Sequence, residues 1–288
     1  MKFSHNWIRE LVEDLDLGPR DLERLITRKT AECEGVEAVG ELLATACVAR
    51  VTAVEAIAGS HNRVARVETA GFGVKTVVCG APNCRAGIDS VYVPVGKKII
   101  EGVESDGMLA SGAELGINRD HAGIVEIEGD FGLRPDSIIE IENKSITHRP
   151  DLWGHLGMAR EVAAVSGRRW RDPVRLELLP RGAGAVGVEI EDFALCPRYS
   201  ALAFENVTVR PSPLWLQYRL QAIGLNPINN IVDFTNFVMA ELAQPTHAFD
   251  RARLSGPTIF IRPARTGERL VALNDIEYEL GPSNLVIA

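Results

Sequence analysis

PSPLWLQYRLQAIGLNPINNIVDFTNFVMAELAQPTHAFD occupies residues 211–250 and carries two helical periodicities separated by a breaker. Ser212 followed by Pro213 has the pattern of an N-cap with proline at the first helical position. Trp215, Leu216, Leu220 and Ile223 then share one helix face, and Gly224 ends the run. Beyond Asn226-Pro227 a second helix is predicted from Ile228, Ile231, Val232, Thr235, Phe237, Val238 and Leu242. Asn229, Asn230, Asp233 and Asn236 are interleaved with these apolar positions, so some reach the buried side and need partners. Gln244-Pro245-Thr246-His247 closes the stretch, the proline imposing extended backbone on the residue before it. His247 is thereby set just past a helix end, beside amides and a carboxylate. An imidazole that can trade a proton near neutral pH in such surroundings marks a candidate site; the plainer alternative is a histidine that packs or caps a turn.

Working outward, the 288 residues are 46% hydrophobic without any long apolar run, as expected of two or three domains and no membrane span. Met1-Lys2-Phe3-Ser4 leads directly into a helix-like segment rather than a signal-peptide core. The cysteines, at 33, 47, 79, 84 and 196, are odd in number and scattered. Cys79 and Cys84 are separated by four residues, but no second pair or nearby histidine completes a zinc set. A reducing cytoplasm suits this usage. The net charge of −8 lacks the basic footprint of an autonomous nucleic-acid binder; any RNA contact must be local or shared with another subunit.

In chain order, Phe3, Trp7, Ile8, Leu11 and Val12 predict a helix. Leu22, Leu25 and Ile26 predict a second after Gly18-Pro19, and residues 34–39 alternate as a strand. This piece is too small to enclose a core of its own. Five short β-rich runs follow: CVARVTAVEAI (47–57), RVARVETA (63–70), KTVVCGAP (75–82), SVYVPVG (90–96) and IVEIEG (124–129), in the manner of a small Greek-key barrel. Residues 105–111 (SDGMLAS) read as a turn that delivers Met108 and Leu109 to its core. A helix is predicted after Pro150 and ends at Gly167, with Leu152, Leu156, Met158, Ala159, Val162, Ala163 and Val165 on its apolar positions. His148, Arg149, Asp151 and His155 cluster at its start, where charges gather without chemistry. Residues 168–186 read as a linker. VGVEIED and RYSALAFENVTV then alternate as strands, and TIFIRPA, ERLVALNDIEYEL and NLVIA follow the helical pair. No P-loop, dinucleotide turn or Ser-His-Asp pattern is evident.

SPLW, INNIVDFTNFV and QPTHAFD at these separations resemble the β chain of bacterial phenylalanyl-tRNA synthetases, in the domain that holds a hydrolytic editing site. VVCGAPNCRAG (77–87) and ESDGMLASGAELGI (104–117) resemble that family's tRNA-binding OB domain, and residues 147–151 its Asn-Arg-Pro-Asp junction, with His148 replacing the asparagine. The resemblance implies an α+β multidomain chain. A small discontinuous α/β domain (1–40 plus 143–180) carries an inserted OB-fold β-barrel (41–142), followed by a truncated mixed α/β editing domain (187–288); the chain reads as an N-terminal fragment.

It further implies a subunit of phenylalanine–tRNA ligase, an ATP-dependent enzyme of the cytoplasm that pairs with an α subunit in an α2β2 heterotetramer and acts on tRNA-Phe. ATP and magnesium are used through the α subunit and parts of the β chain outside this sequence, so no cofactor or metal is expected here. By the same resemblance His247 orients or activates the water that hydrolyses misattached tyrosine. Asn226, Asn229, Asn230, Asp233, Asn236, Gln244 and Pro245 frame the substrate. Arg63, Arg66, Lys75, Arg85, Lys97, Lys98 and Arg119 are cations placed to meet phosphate, although any soluble barrel carries surface cations.

Departures from the family pattern stand at residues 59–64 (GSHNRV), in place of a His-Pro-x-Ala-Asp segment, and at Asn226, where an arginine is common. A glutamate expected to recognise the tyrosine hydroxyl lies outside the sequence, so the chain alone is expected neither to aminoacylate nor to edit. A stand-alone OB-type RNA-binding protein and an autonomous trans-editing hydrolase are the alternatives.

Overall fold

In the computed structural model, which describes residues 1–129, 131–179, 184, 186–272 and 274–288, Phe3 lies in a short strand rather than a helix. This strand, β1 (Lys2–Ser4), gives way to helix α1 (His5–Leu11) because the Ser4 hydroxyl accepts from the Trp7 amide at 3.0 Å and caps the first turn. Helix α2 (Pro19–Lys29) starts on a proline, and β2 (Cys33–Val39) follows. Both β1 and β2 pair antiparallel with a strand from much later in the chain, β8 (Asp136–Ile141), in the order β1-β8-β2. Residues 136–141 therefore complete the N-terminal sheet, although the sequence reading assigns them to the barrel. Ile139 and Ile141, fully buried, face Phe3, Trp7, Ile8, Leu22 and Ile26 across that sheet. Removing side chains of this size from water is worth about 1.5–3 kcal/mol each, enough to recruit β8.

Between β2 and β8 lies a five-stranded antiparallel sheet: β3 (Cys47–Ala56), β4 (Arg63–Thr69), β5 (Gly73–Cys79), β6 (Asp89–Ile100) and β7 (Val103–Leu109), ordered β5-β4-β3-β6-β7. The fifth strand is 103–109, not the expected 124–129, which contributes only the bridges Ser90–Glu126 and Ser111–Ile124. Nor is 105–111 a turn. Ser105, Gly107 and Leu109 alternate inward, but two of these inward residues are too small to read as a strand face. Gly107, at φ +84°, is required because a Cβ there would fall on the Tyr92 ring. Among the described residues no backbone ladder joins the edges β5 and β7, so the sheet is not a hydrogen-bonded closed barrel. Side chains bridge the edges instead: Lys75 Nζ meets Asp106 at 2.8 Å, and the Val78 amide donates to Ser105 Oγ at 3.0 Å.

After β8 come a single turn, α3 (Asn143–Ile146), and helix α4 (His155–Ser166), which ends on Gly167 at φ +68°. Residues 169–171, part of the expected linker, are tied to the end of α1: Glu13 donates to the Arg169 carbonyl at 2.8 Å and Arg171 to the Leu11 carbonyl at 2.7 Å. Residues 180–183 and 185 of that linker lie outside the described residues. Helices α5 (Leu214–Ala222) and α6 (Asn230–Leu242) belong to the same compact unit, which comprises 1–173 and 209–247. The expected 187–288 domain is thus divided. Ala240 and Phe237 of α6 join the core around Trp7, while Tyr218 and Leu214 of α5 pack with Leu43, Val91 and Leu115.

The second unit comprises 174–208 and 248–288. In it β10 (Thr258–Pro263) pairs parallel with β9 (Gly187–Ile190) and antiparallel with β13 (Leu285–Ile287), and β11 (Glu268–Val271) and β12 (Glu277–Leu280) form a hairpin. Residues 198–209, expected as a strand, form none. Leu202, Phe204 and Val207 are exposed, and an alternating segment holds as a strand only with a ladder partner and a layer to cover its apolar face.

Candidate functional site

The polar residues of the helical pair are occupied mainly in building its start. Asn229 is the N-cap of α6, its Oδ1 accepting from the Ile231 and Val232 amides at 3.0 and 3.1 Å. Asn230 Oδ1 accepts from the Arg210 amide at 3.1 Å. Asp233 is fully buried; its carboxylate accepts from the Ile228 amide at 2.8 Å and from the Ser212 hydroxyl. Ser212 is therefore not the N-cap of α5, a position held by Pro213. Its hydroxyl turns toward Asp233 because a buried carboxylate left without donors costs more than a missing cap. Asn236 is half-buried further along α6.

Past the helix, Ala243 adopts the left-handed conformation at φ 58°, and Gln244, Pro245 and His247 are all exposed. Gln244 Nε2 donates to the Pro245 carbonyl at 3.3 Å, and Asn226, also exposed, donates to the Pro227 carbonyl at 3.4 Å. The expected residues thus fall into two sets. Asn229, Asn230 and Asp233 hold the fold, while Asn226, Gln244, Pro245 and His247 sit at the surface.

Of the seven cations singled out for phosphate, Arg66 and Arg119 are exposed and four are engaged by partners. Lys75 pairs with Asp106 at 2.8 Å and Lys97 with Glu104 at 2.8 Å. Arg85 grips Glu126 with two bonds of 2.8 Å, and Arg63 donates to the Cys84 carbonyl at 2.9 Å. Lys98 is exposed. Exposed pairs of this kind are worth at most about 1 kcal/mol, so phosphate can compete for Arg85 and Lys97 but gains nothing from preorganisation. At the α4 start, Arg149 pairs with Asp151 at 2.8 Å and Glu161 at 3.1 Å, as a helix-start ion pair should. Among the described residues no cluster of three metal-ligating side chains occurs.

The densest polar cluster is one the sequence does not announce. His155, fully buried, stacks on Trp7 at 3.9 Å. Its Nε2 accepts from the Ser4 amide at 3.0 Å, so the proton resides on Nδ1, which donates to the Ala240 carbonyl at 2.9 Å. Burial drives its pKa down to about 3, and the ring is neutral. On the other side Arg219 lies 4.8 Å above Trp7 and 5.7 Å from Trp215 while gripping Glu10 with two 2.7 Å bonds. Trp7 Nε1 donates to Glu241 at 3.2 Å, and burial raises that carboxyl's pKa. These groups are saturated by one another and pin α6 to α1 and α4. Apart from Arg219 and Trp215, the partners lie more than 80 residues apart in sequence, which no local spacing reveals.

Comparison with known proteins gives these features a context. Residues 195–288 match the B3/4 domain family, a span that includes parts of both units. The whole chain aligns with phenylalanine–tRNA ligase β subunits: at 68% identity in Solibacter usitatus (strain Ellin6076), covering 38% of that protein, and at 38% identity in Bradyrhizobium diazoefficiens, covering 38%. In Gloeobacter violaceus the identity is 38%, over 39% of the relative. A chaperone CsaA from Bacillus anthracis str. Ames aligns with 31% of this chain and 83% of its own, at 16% identity and a TM-score of 0.24. The chain spans about two fifths of the length of these β subunits. Matched along its whole length at 68% identity, the chain belongs to the phenylalanine–tRNA ligase β subunit family.

Proposed function

We propose that the chain works as the N-terminal part of a phenylalanine–tRNA ligase β subunit, together with an α subunit, in the ATP-dependent charging of tRNA-Phe. The observation that carries this is collinear identity of 68% over its full length with such a subunit. ATP and magnesium chemistry is assigned to the α subunit and to β-chain segments outside this sequence. The 47–109 sheet serves as an OB-type module, a reading supported by its strand order and by the facing edges β5 and β7. Its RNA contact uses Lys98 and whatever Lys97 and Arg85 release on meeting phosphate.

The chain's second role is to supply part of an editing site for tyrosine misattached to tRNA-Phe. A phenylalanine pocket discriminates only about 100-fold against an analogue that merely adds a hydroxyl, so a second, hydrolytic sieve is needed. His247 is the candidate for handling the attacking water. It is exposed, lies just beyond α6, and follows a proline that stiffens its approach. Asn226, Gln244 and Pro245 share its exposure, whereas Asn229, Asn230 and Asp233 act by shaping α6.

The test is deacylation of Tyr-tRNA-Phe and charging with phenylalanine, each measured for the αβ enzyme carrying this sequence and for the 288-residue chain alone. The αβ enzyme is expected to do both and the isolated chain neither. His247→Ala in the complete enzyme should lower deacylation by about 10²–10⁴-fold, as is typical of a lost acid–base group, and leave charging intact. Unchanged deacylation in that variant would remove His247 from the site, and loss of charging as well would make its role structural.

A further inference from the structure

Cys79 closes β5, and Cys84 follows after residues 80–83. The Cys84 amide donates to the Ala81 carbonyl at 3.1 Å, a turn that folds the segment back, and both sulfurs enter one apolar cluster with Val51, Val67 and Tyr92. There each thiol perturbs the ionisation of the other. The segment between them is held from several sides. Arg63 grips the Cys84 carbonyl, and Asn83 exchanges bonds of 2.9 and 3.0 Å with the Ile124 carbonyl and amide. The sulfurs differ in access. Cys84 is enclosed, whereas Cys79 lines an open groove of about 330 Å³ together with Ser111, Glu114 and His121.

We propose that Cys79 and Cys84 are a thiol–disulfide pair oxidised by a peroxide that enters the groove, with Cys79 the attacking sulfur and Cys84 the resolving one. The neighbouring Cys84 thiol, helped by the backbone at Ala81 and by Arg63, lowers the Cys79 pKa to about 7, while Cys79 and burial push Cys84 up. Near neutral pH Cys79 therefore holds on the order of ten times the thiolate of an ordinary thiol. In the first step the Cys79 thiolate attacks the O–O bond. One oxygen becomes a sulfenic acid on Cys79, and the other leaves as hydroxide, which takes up the proton that the Cys79 thiol released on ionising and departs as water. In the second step the Cys84 sulfur gives up its proton and displaces the sulfenic oxygen as water, forming the S–S bond. The two sulfurs together lose two electrons to the peroxide, and a dithiol reductant reverses the change.

Trypsin cuts after Lys75 and Arg85, so both cysteines fall on one peptide, residues 76–85, that contains no other cysteine. The purified chain is treated with one equivalent of hydrogen peroxide near neutral pH, and all cysteine peptides are quantified by mass. The 76–85 peptide is expected to become lighter by two hydrogens before the peptides of Cys33, Cys47 or Cys196 change, and to recover in dithiothreitol. With dimedone present, Cys84→Ser should trap the sulfenic acid on Cys79, and Cys79→Ser should leave the peptide unlabelled. The proposal is overturned if the wild-type peptide stays reduced while the other cysteines oxidise. It is equally overturned if Cys79→Ser is labelled as readily as Cys84→Ser. The wild-type measurement decides the matter by itself should either variant fail to fold.

Discussion

Two buried ionisable groups govern how the first unit responds to its surroundings. Asp233 accepts from Ser212 and Ile228 deep in the α5–α6 junction. Truncating it strands a hydroxyl and an amide in a dry place, so Asp233→Ala should cost about 3 kcal/mol in urea unfolding, and Asp233→Asn less. His155 makes a pH prediction. Its folded pKa of about 3 lies below the unfolded value of about 6.5, so the unfolded chain binds its proton first as acid is added. The stabilisation is complete above pH ~6.5 and is lost as pH falls toward the folded pKa, at up to about 1.4 kcal/mol per pH unit. His155→Gln should flatten the dependence of unfolding free energy on pH between about 6.5 and 4. A slope unchanged by that substitution would show that the acid sensitivity originates elsewhere.

At the scale of elements, α6 is held at both ends. Asn229 caps its start with two backbone bonds, and Asn229→Ala should destabilise by about 1 kcal/mol. Near its C-terminus Gly154 permits close approach: a Cβ there would lie 2.5 Å from the Ala243 nitrogen and 2.8 Å from the Glu241 carbonyl oxygen. Backbone cannot give way as a flexible side chain can, so Gly154→Ala should lift α6 from α4 at a cost of about 1–3 kcal/mol. The tryptophan emission from the Trp7 cluster should shift toward the red as water enters. An unchanged spectrum and melting curve would show that α6 adapts without moving.

The elements also show what their own residues announce. Helices α2 and α6 are legible because apolar periodicity coincides with a boundary signal, Gly18-Pro19 before the one and Gln244-Pro245 after the other. β7 is not, because two of its inward residues, Ser105 and Gly107, are small, and Gly107 makes room for the Tyr92 ring rather than favouring a strand.

For the whole molecule, the charge balance predicts weak RNA binding by this chain alone. The net charge is −8, and Lys75, Arg85 and Lys97 are neutralised by Asp106, Glu126 and Glu104. Fluorescence anisotropy with labelled tRNA should give a Kd in the non-specific range of about 10⁻⁴–10⁻⁶ M at physiological salt, weakening as salt rises. Nanomolar, salt-insensitive binding would require a preorganised site that these ion pairs do not provide. Among the described residues no helix is long and apolar enough to cross a membrane.

By itself the sequence determined the family, through words such as SPLW, INNIVDFTNFV and QPTHAFD, and the helices whose periodicity and end signals lie within a few residues of each other. These are local properties, and hydrophobic spacing and capping register them directly. Tertiary structure alone decided that 136–141 completes the N-terminal sheet and that 209–247 joins the first unit. It also decided that Asp233 and His155 are fastenings of the fold and that Cys79 meets Cys84 in one core. Those outcomes depend on which distant surfaces bury each other, an energy shared between segments that neither segment encodes alone.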